Sequence, residues 1–371
     1  MTYQLPHWRV ASAAAVFVLA GSSAVALATH DRAGETAGAY QSWPRPSRVH
    51  RTPARQTGAA RTGVRLMSQA AAACHSTAFS ALLISRSWGP TGAHISKADV
   101  WHRPGGQVVA QPVGGSGNAE SAAGAVQPGP GVSVIISAQE FALLQSGYVL
   151  DYAGRSSADG RPAMLVAVDR PDGTLAARYW LDGQTMLPLR RQLFDDHAHK
   201  ISDASFADLR LGLSALGGMP AEGALPWRQQ LGRPQIMSLQ AHGWPLPAQL
   251  PGGMMLSGAS QTSSAAGEVI GLSYSDGLSV ISVFVQRGDL PTELEGWQRI
   301  EMAGHAAYAV DPDDQAIAWS ADGYVFTVIA DAPTATVGEA VTALPHSGSP
   351  GFWTRLERGF RRLASWANPF H

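Results

Sequence analysis

Between residues 148 and 212 the chain reads as short strands cut by turn signals, and both faces of those strands carry apolar side chains. The turn signals are Asp159-Gly160, Pro171-Asp172-Gly173, Asp182-Gly183 and Asp195-Asp196. Their spacing of roughly a dozen residues fits consecutive antiparallel hairpins. Successive residues of a strand point to opposite faces. That places Tyr148, Leu150 and Tyr152 on one side and Val149 and Ala153 on the other. The next strand sets Ala163, Leu165 and Ala167 against Met164, Val166 and Val168, and in the third Trp180 opposes Tyr179 and Leu181. A sheet with one wet face alternates apolar and polar residues cleanly; this one does not. Two arrangements stay open. Helices cover one face and a second layer the other, or the second face lines a cavity for an apolar ligand.

The length of 371 residues suits two domains of ordinary size. A hydrophobic share of 45% with 15% charged residues belongs to a globular chain. The net charge of -1 argues against a nucleic-acid binder. Near the N-terminus, Trp8-Arg9 precedes an uncharged stretch at 10–28 that ends in Ala26-Leu27-Ala28. The small-x-small ending matches a signal-peptidase site, and the length sits at the lower edge for a membrane span. Residues 1–28 are therefore a signal peptide or an N-terminal membrane anchor. Either one makes the protein exported, periplasmic or otherwise extracytoplasmic. Cys74 is the only cysteine, which leaves no intramolecular disulfide. Following four alanines, it reads as a small packed residue on a helix and not as a nucleophile paired with His75.

The rest divides by composition. Residues 29–62, arginine-rich and poor in large aliphatics, form a basic flexible linker. A first domain at 63–216 opens with a helix at 63–74 and strands at 77–88 and 94–102. A glycine- and proline-rich loop at 104–130, a strand at 131–137 and a helix at 138–145 precede the five-strand meander. Residues 217–234 are a linker marked by Gly217-Gly218, Pro220, Pro226 and Pro234. The second domain, 235–345, begins with an extended proline-punctuated stretch at 242–254. It continues with hairpins around Ser275-Asp276-Gly277, Ala303-Gly304 and Asp322-Gly323, and closes with a helix at 334–344. The fold class is α+β.

Residues 351–368 form a basic amphipathic helix by pattern. Phe352, Trp353, Leu356, Phe360, Leu363, Ala364 and Trp366 fall on one arc, while Arg355, Glu357, Arg358, Arg361, Arg362 and Ser365 fill the other. This is the profile of a membrane-surface helix, with each arginine worth about 1 kcal/mol beside an anionic surface. The rival is a helix docked on its own domain or on a partner. Gly359 costs about 1 kcal/mol of helicity, so the helix needs its apolar face buried.

Little in the chain points to chemistry. Asp195, Asp196, His197 and His199 supply oxygen and nitrogen ligands within five residues, yet Asp-Asp at a hairpin tip is ordinary turn chemistry. His102 lies at a strand end and reads as structural. Residues 311–314 lack the alternation and terminal glutamate of a calcium loop. No nucleophile elbow, phosphate loop, HExxH or dinucleotide fingerprint is present. The expectation is a binding protein with no catalytic residues, no metal and no cofactor.

The stretches ARYWLDGQTMLPLRRQLFD at 177–195, FADLRLG at 206–212, YSDGLSVISVFVQ at 274–286 and AWSADGYVFTVIAD at 318–331 resemble the RseB/MucB family of sigma-factor regulatory proteins. The resemblance covers most of residues 63–345, and its first-domain pattern is shared with lipoprotein carriers of the LolA type. It implies an unclosed LolA-like antiparallel half-barrel with packed helices, followed by a smaller α+β domain. It also implies a partner, the extracytoplasmic segment of a membrane anti-sigma factor shielded from proteolysis, and a lipid ligand in the half-barrel that releases it. A lipid or lipoprotein carrier is the alternative. Tyr274, Ser275, Asp276, Gly277 and Leu278 mark the family and read as hairpin builders. The tether and the C-terminal helix depart from the family's soluble members and imply residence at the membrane surface.

Overall fold

The computed structural model describes residues 53–89, 92–105, 107–113, 134–220, 229–264, 267–291, 294, 297–302, 305–309 and 316–346. The signal peptide or anchor expected at 1–28 and the helix expected at 351–368 lie outside these residues.

The first helix, α1 (Pro53–Ser76), starts ten residues before the expected position at 63. Ala54, Arg55, Gln56, Ala59, Ala60 and Arg61 are strong helix formers and carry it N-terminally. Its buried stripe is Leu66, Met67, Ala70, Ala71 and Cys74, at the spacing of one helical face. Burial pushes the Cys74 thiol up to about 12, the behaviour of a packed core residue.

Strands β1 (Phe79–Gly89), β2 (Gly92–Arg103) and β3 (Gln107–Pro112) precede α2 (Ala138–Gly147). Then come β4 (Val149–Ala158), β5 (Arg161–Asp169), β6 (Leu175–Asp182), β7 (Pro188–Phe194) and β8 (Lys200–Leu211). They form one antiparallel sheet ordered β3-β2-β1-β8-β7-β6-β5-β4. Its end strands, β3 and β4, do not pair, so the sheet is unclosed. The meander stands as expected, with Asp159-Gly160 at φ 47° and 69° forming the left-handed turn that an Asp-Gly pair favours. Two expectations fail here. Residues 107–112, read as loop, are an edge strand, because Val108, Val109 and Ala110 pair with β2 while the Gly/Pro content lies around them. The strand at 131–137 is not seen among the described residues; 134–137 turn into α2, burying Val134 and Ile136 and ending in the Ser137–Glu140 capping box.

One face of this sheet is covered by the chain's own helices. Val166, Val168, Ala177, Tyr179, Leu181 and Leu193 pack with Leu66, Met67 and Ala70 of α1 and Leu144 of α2. The approach is close enough that a Cβ on Gly63 would fall 2.6 Å from the Leu150 carbonyl carbon of β4. Met67 and Ala70 are wholly shielded from water, as are Val166 and Val168.

The second domain follows a 3-10 turn, Leu213–Gly218. It comprises β9 (Gln229–Gln230), α3 (Arg233–Ala241), β10 (Gln249–Leu250), β11 (Met254–Ser264), β12 (Gly267–Ser275) and β13 (Val280–Arg287). Strands β14 (Gln298–Met302), β15 (His305–Ala309), β16 (Ala316–Ala321) and β17 (Tyr324–Asp331) then lead to α4 (Thr334–Ala343). The sheet order is β10-β11-β12-β13-β17-β16-β15-β14, with β9 on β11. Helix α3 begins within the stretch 217–234 that the sequence reads as linker; Pro234 opens it, since proline costs nothing in a first turn that lacks N–H partners. Residues 242–254 are anchored by buried Trp244, Leu246, Leu250 and Met254. The closing helix buries Val337, Ala340 and Val341, as its spacing predicts.

Candidate functional site at the domain joint

The turn between β12 and β13 is built by its own side chains. Asp276 Oδ1 accepts from the backbone N–H of Leu278 at 2.8 Å and of Ser279 at 2.6 Å, and Ser275 Oγ accepts from Gly277 N–H at 2.9 Å. Such Asx and Ser turns fix a loop without neighbours. What the sequence does not show is where the tip goes.

It goes into the first domain. Gly277 has φ 91°, the left-handed region that glycine alone enters freely. A Cβ there would lie 2.6 Å from the Glu140 carbonyl oxygen and 2.7 Å from Leu144 Cα, both in the backbone of α2. Leu278 is 4% exposed and belongs to the core that α1 shares with β6 and β7. Tyr148 O–H donates to Asp276 Oδ2 at 2.6 Å. Burial first, and then the Asp276 carboxylate, raise the Tyr148 pKa above its ordinary value. From β7, Arg191 reaches the joint with only 2% of its side chain exposed. Its guanidinium donates to the Leu278 carbonyl and meets Asp331 Oδ2 of β17 at 3.1 Å. The five residues from Tyr274 to Leu278 thus form the hairpin expected of them, and its tip is the wedge between domains. The sequence signal for the joint was Arg191, a charge two residues from the core residue Leu193 on β7.

The opposite face of the first sheet is amphipathic. Arg190 lies over the Trp180 ring at 5.1 Å, Arg178 over Phe194 at 5.5 Å and Lys200 over Trp88 at 4.2 Å. Asp203 accepts from Arg190 Nε and Gln192 Nε2, each at 2.8 Å. Burial alone would raise the Asp203 pKa, but Arg190 and Gln192 hold it below the usual carboxylate range. A small apolar cluster of Ala158, Ala163, Trp180 and Leu189 lies beside this network. The apolar residues on both faces of the meander therefore divide between a helix-packed side and an arginine-capped side.

The remaining expectations fall as follows. Asp195, Asp196 and His197 bring their ligand atoms within 4.8 Å of one another. Asp195 Oδ1, however, accepts from the backbone N–H of His197 at 2.9 Å and of His199 at 2.7 Å, as a hairpin tip requires. His102 is fully buried, its ring stacked on Phe79 at 5.0 Å, with Nδ1 bonded to the Thr77 carbonyl at 2.9 Å. Because a carbonyl only accepts, Nδ1 carries the proton. Phe352, Trp353, Arg355, Leu356, Arg358, Phe360, Arg361, Arg362, Leu363 and Trp366 lie outside the described residues.

No family model matches this chain, and no curated protein matches it. Among solved structures the chain is similar to a crystal structure of MucB, with 21% identity over 77% of this chain and 98% of that one, at a TM-score of 0.45. It is similar to the complex of MucA and MucB from Pseudomonas aeruginosa at 21% identity, over 76% of this chain and 98% of that one, with a TM-score of 0.40. A putative outer membrane lipoprotein-sorting protein domain from Vibrio parahaemolyticus is 11% identical over 44% of this chain and 96% of its own, at 0.24.

Proposed function

We propose that the protein is an extracytoplasmic regulatory binding protein of the RseB/MucB type. In this reading it holds the extracytoplasmic segment of a membrane anti-sigma factor and controls that factor's proteolysis. The carrying observation is the joint: the residues that bear the family resemblance, Tyr274 to Leu278, are the ones that wedge the second domain into the first. A carrier needs only its lipid-holding domain; a protein that must present one continuous surface to a peptide needs two domains held in register. Both sheets also end in edge strands, β3 and β4 in the first and β10 and β14 in the second. An edge ladder accepts an extended segment by strand addition. The MucA/MucB complex supports a partner of this class.

Lipid sensing fits the same reading as a release signal. The helix-covered face is filled by α1, with Met67 and Ala70 fully shielded. An acyl chain entering there displaces α1, and α1 shares its core with Leu278 of the joint. Displacement would thus reach the interdomain wedge. The carrier reading lacks this support, since it wants the apolar face open.

The test is protection. The protein is mixed with the extracytoplasmic segments of the cell's own anti-sigma factors, and their cleavage by the cognate membrane protease is timed. One segment should be cleaved at least about tenfold more slowly in the complex, the factor that 1.4 kcal/mol provides. Equal cleavage of every segment with and without the protein refutes the proposal.

A further inference from the structure

The hairpin of β1 and β2 outruns the first sheet on one side. β3 pairs with β2 only from Ala98 to Arg103. Among the described residues, Gly92 to Lys97 therefore has no strand on that edge, only a bond from Val113 N–H to the Lys97 carbonyl at 2.9 Å. That run extends about 20 Å. Strand alternation sets Ile84, Arg86 and Trp88 of β1 beside Lys97, Ile95 and Ala93 of β2 on one face. The other face carries Phe79, Ala81, Leu83 and Val100, which pack with Cys74 of α1. Ile95 is 54% exposed, Arg86 and Lys97 are exposed, and Ile84 and Trp88 are half-buried. Lys200 of β8 completes the patch, its ammonium 4.2 Å from the centre of the Trp88 ring. Lys97 and Lys200 are the only lysines of the chain, so both stand here. Residues 84–88 and 92–97 contain no acid. By register the nearest acids are Asp99, two residues past Lys97, and Asp203, across from Arg86. Asp203 is 5% exposed and already engaged by Arg190, Gln192 and Lys200.

We propose that this end of the β1–β2 hairpin docks on an anionic lipid surface. An indole and two isoleucines suit the headgroup boundary, where apolar atoms are buried shallowly and one end of the ring stays wet. Arg86, Lys97 and Lys200 carry long stems that lie along apolar surface while the charged heads reach outward. Facing anionic headgroups, each gains from the negative surface potential. The attraction is local to this patch, since the whole chain has a net charge of -1. A hairpin end with no strand on its β2 side has no wall there to hold an extended acidic peptide, whereas a bilayer surface needs none. The wedge residue Leu278 packs with α1 on the opposite face of the sheet, so docking here leaves the domain joint free. The patch is thus separate from whatever segment the joined domains hold.

Because the chain has two lysines and both lie in the patch, lysine acetylation of the full chain, quantified by peptide mass spectrometry, reads the docking directly. Phosphatidylglycerol vesicles should slow acetylation of Lys97 and Lys200 at least about fivefold, the factor one cation contributes at such a surface. Phosphatidylcholine vesicles should leave both rates unchanged. Arg86→Glu/Ile95→Glu, two exposed positions outside the core, should restore the vesicle-free rates at both lysines even where another segment still holds the chain on the vesicle. Equal rates with and without phosphatidylglycerol overturn the proposal. So does protection that persists in the double variant, which makes another segment the cover, or equal protection by polyglutamate without vesicles, which makes the partner an acidic peptide.

Discussion

Replacing Gly277 by alanine puts a methyl group into the backbone of α2. Two costs arise at once. A non-glycine residue at φ 91° is strained by about 1–2 kcal/mol. The new Cβ would also sit 2.6 Å from the Glu140 carbonyl oxygen and 2.7 Å from Leu144 Cα, neither of which can turn aside as a side chain could. The hairpin tip must therefore withdraw. Withdrawal exposes Leu278, worth about 1.5–3 kcal/mol of burial. It also breaks the Tyr148–Asp276 bond, worth about 1.5–3 kcal/mol for a charged acceptor. Together the joint loses about 4–8 kcal/mol, comparable with the whole stability of a domain. Each sheet keeps its own core, so the expected result is undocking and not global unfolding. Calorimetry should resolve two transitions in place of one, and small-angle scattering should show a larger radius of gyration. Gly288→Ala is the control, for that glycine has φ 133° but nothing within 4 Å of a Cβ. If Gly277→Ala behaves like Gly288→Ala, the wedge does not hold the domains and the reasoning is refuted.

Two glycines of α1 should respond oppositely to alanine. Gly58→Ala, with open space around it, should stabilise by about 0.5–1 kcal/mol, whereas Gly63→Ala, facing Leu150 and Asp151 of β4, should destabilise despite better helix propensity; thermal melts decide. His102 gives a pH dependence. Burial first lowers its pKa from 6.5, so the unfolded chain takes up the proton more readily than the folded one. The stability tied to neutral His102 is therefore full above about pH 6.5 and is lost as pH falls below it. His102→Gln, which can keep a donor on the Thr77 carbonyl, should flatten that part of the urea-midpoint profile; an unchanged slope assigns it to other groups. Arg191→Leu should cost about 3–5 kcal/mol by removing one side of a buried pair with Asp331, read as a lower denaturation midpoint.

What the sequence made legible follows the range of each interaction. The hairpins of both sheets were readable because Asp-Gly turns are local, and Asp159-Gly160 and Asp322-Gly323 adopt the left-handed pairs such dipeptides favour. The closing helix was readable from Val337, Ala340, Val341 and Leu344. Errors came where punctuation misled. Pro234 opened α3 although it was read as linker, and glycines around Val108 to Ala110 hid β3. The joint was the least legible part. Asp276 and Ser275 satisfy their turn within five residues, so nothing local announces that Gly277 rests on α2 or that Leu278 completes a distant core. Only Arg191, inward on β7, broke the local pattern, and its partners lie 87 and 140 residues away.

In the proposed function, both domains together grip an anti-sigma factor outside the cytoplasmic membrane. Titration calorimetry of the full chain against each extracytoplasmic anti-sigma segment of the same cell is the test. The expected result is a one-to-one complex with one segment at a Kd of about 1 μM or tighter, equivalent to roughly 8 kcal/mol, weakened at least tenfold by Gly277→Ala. Absence of heat with every segment, or equal affinity for wild type and the Gly277→Ala variant, would contradict it.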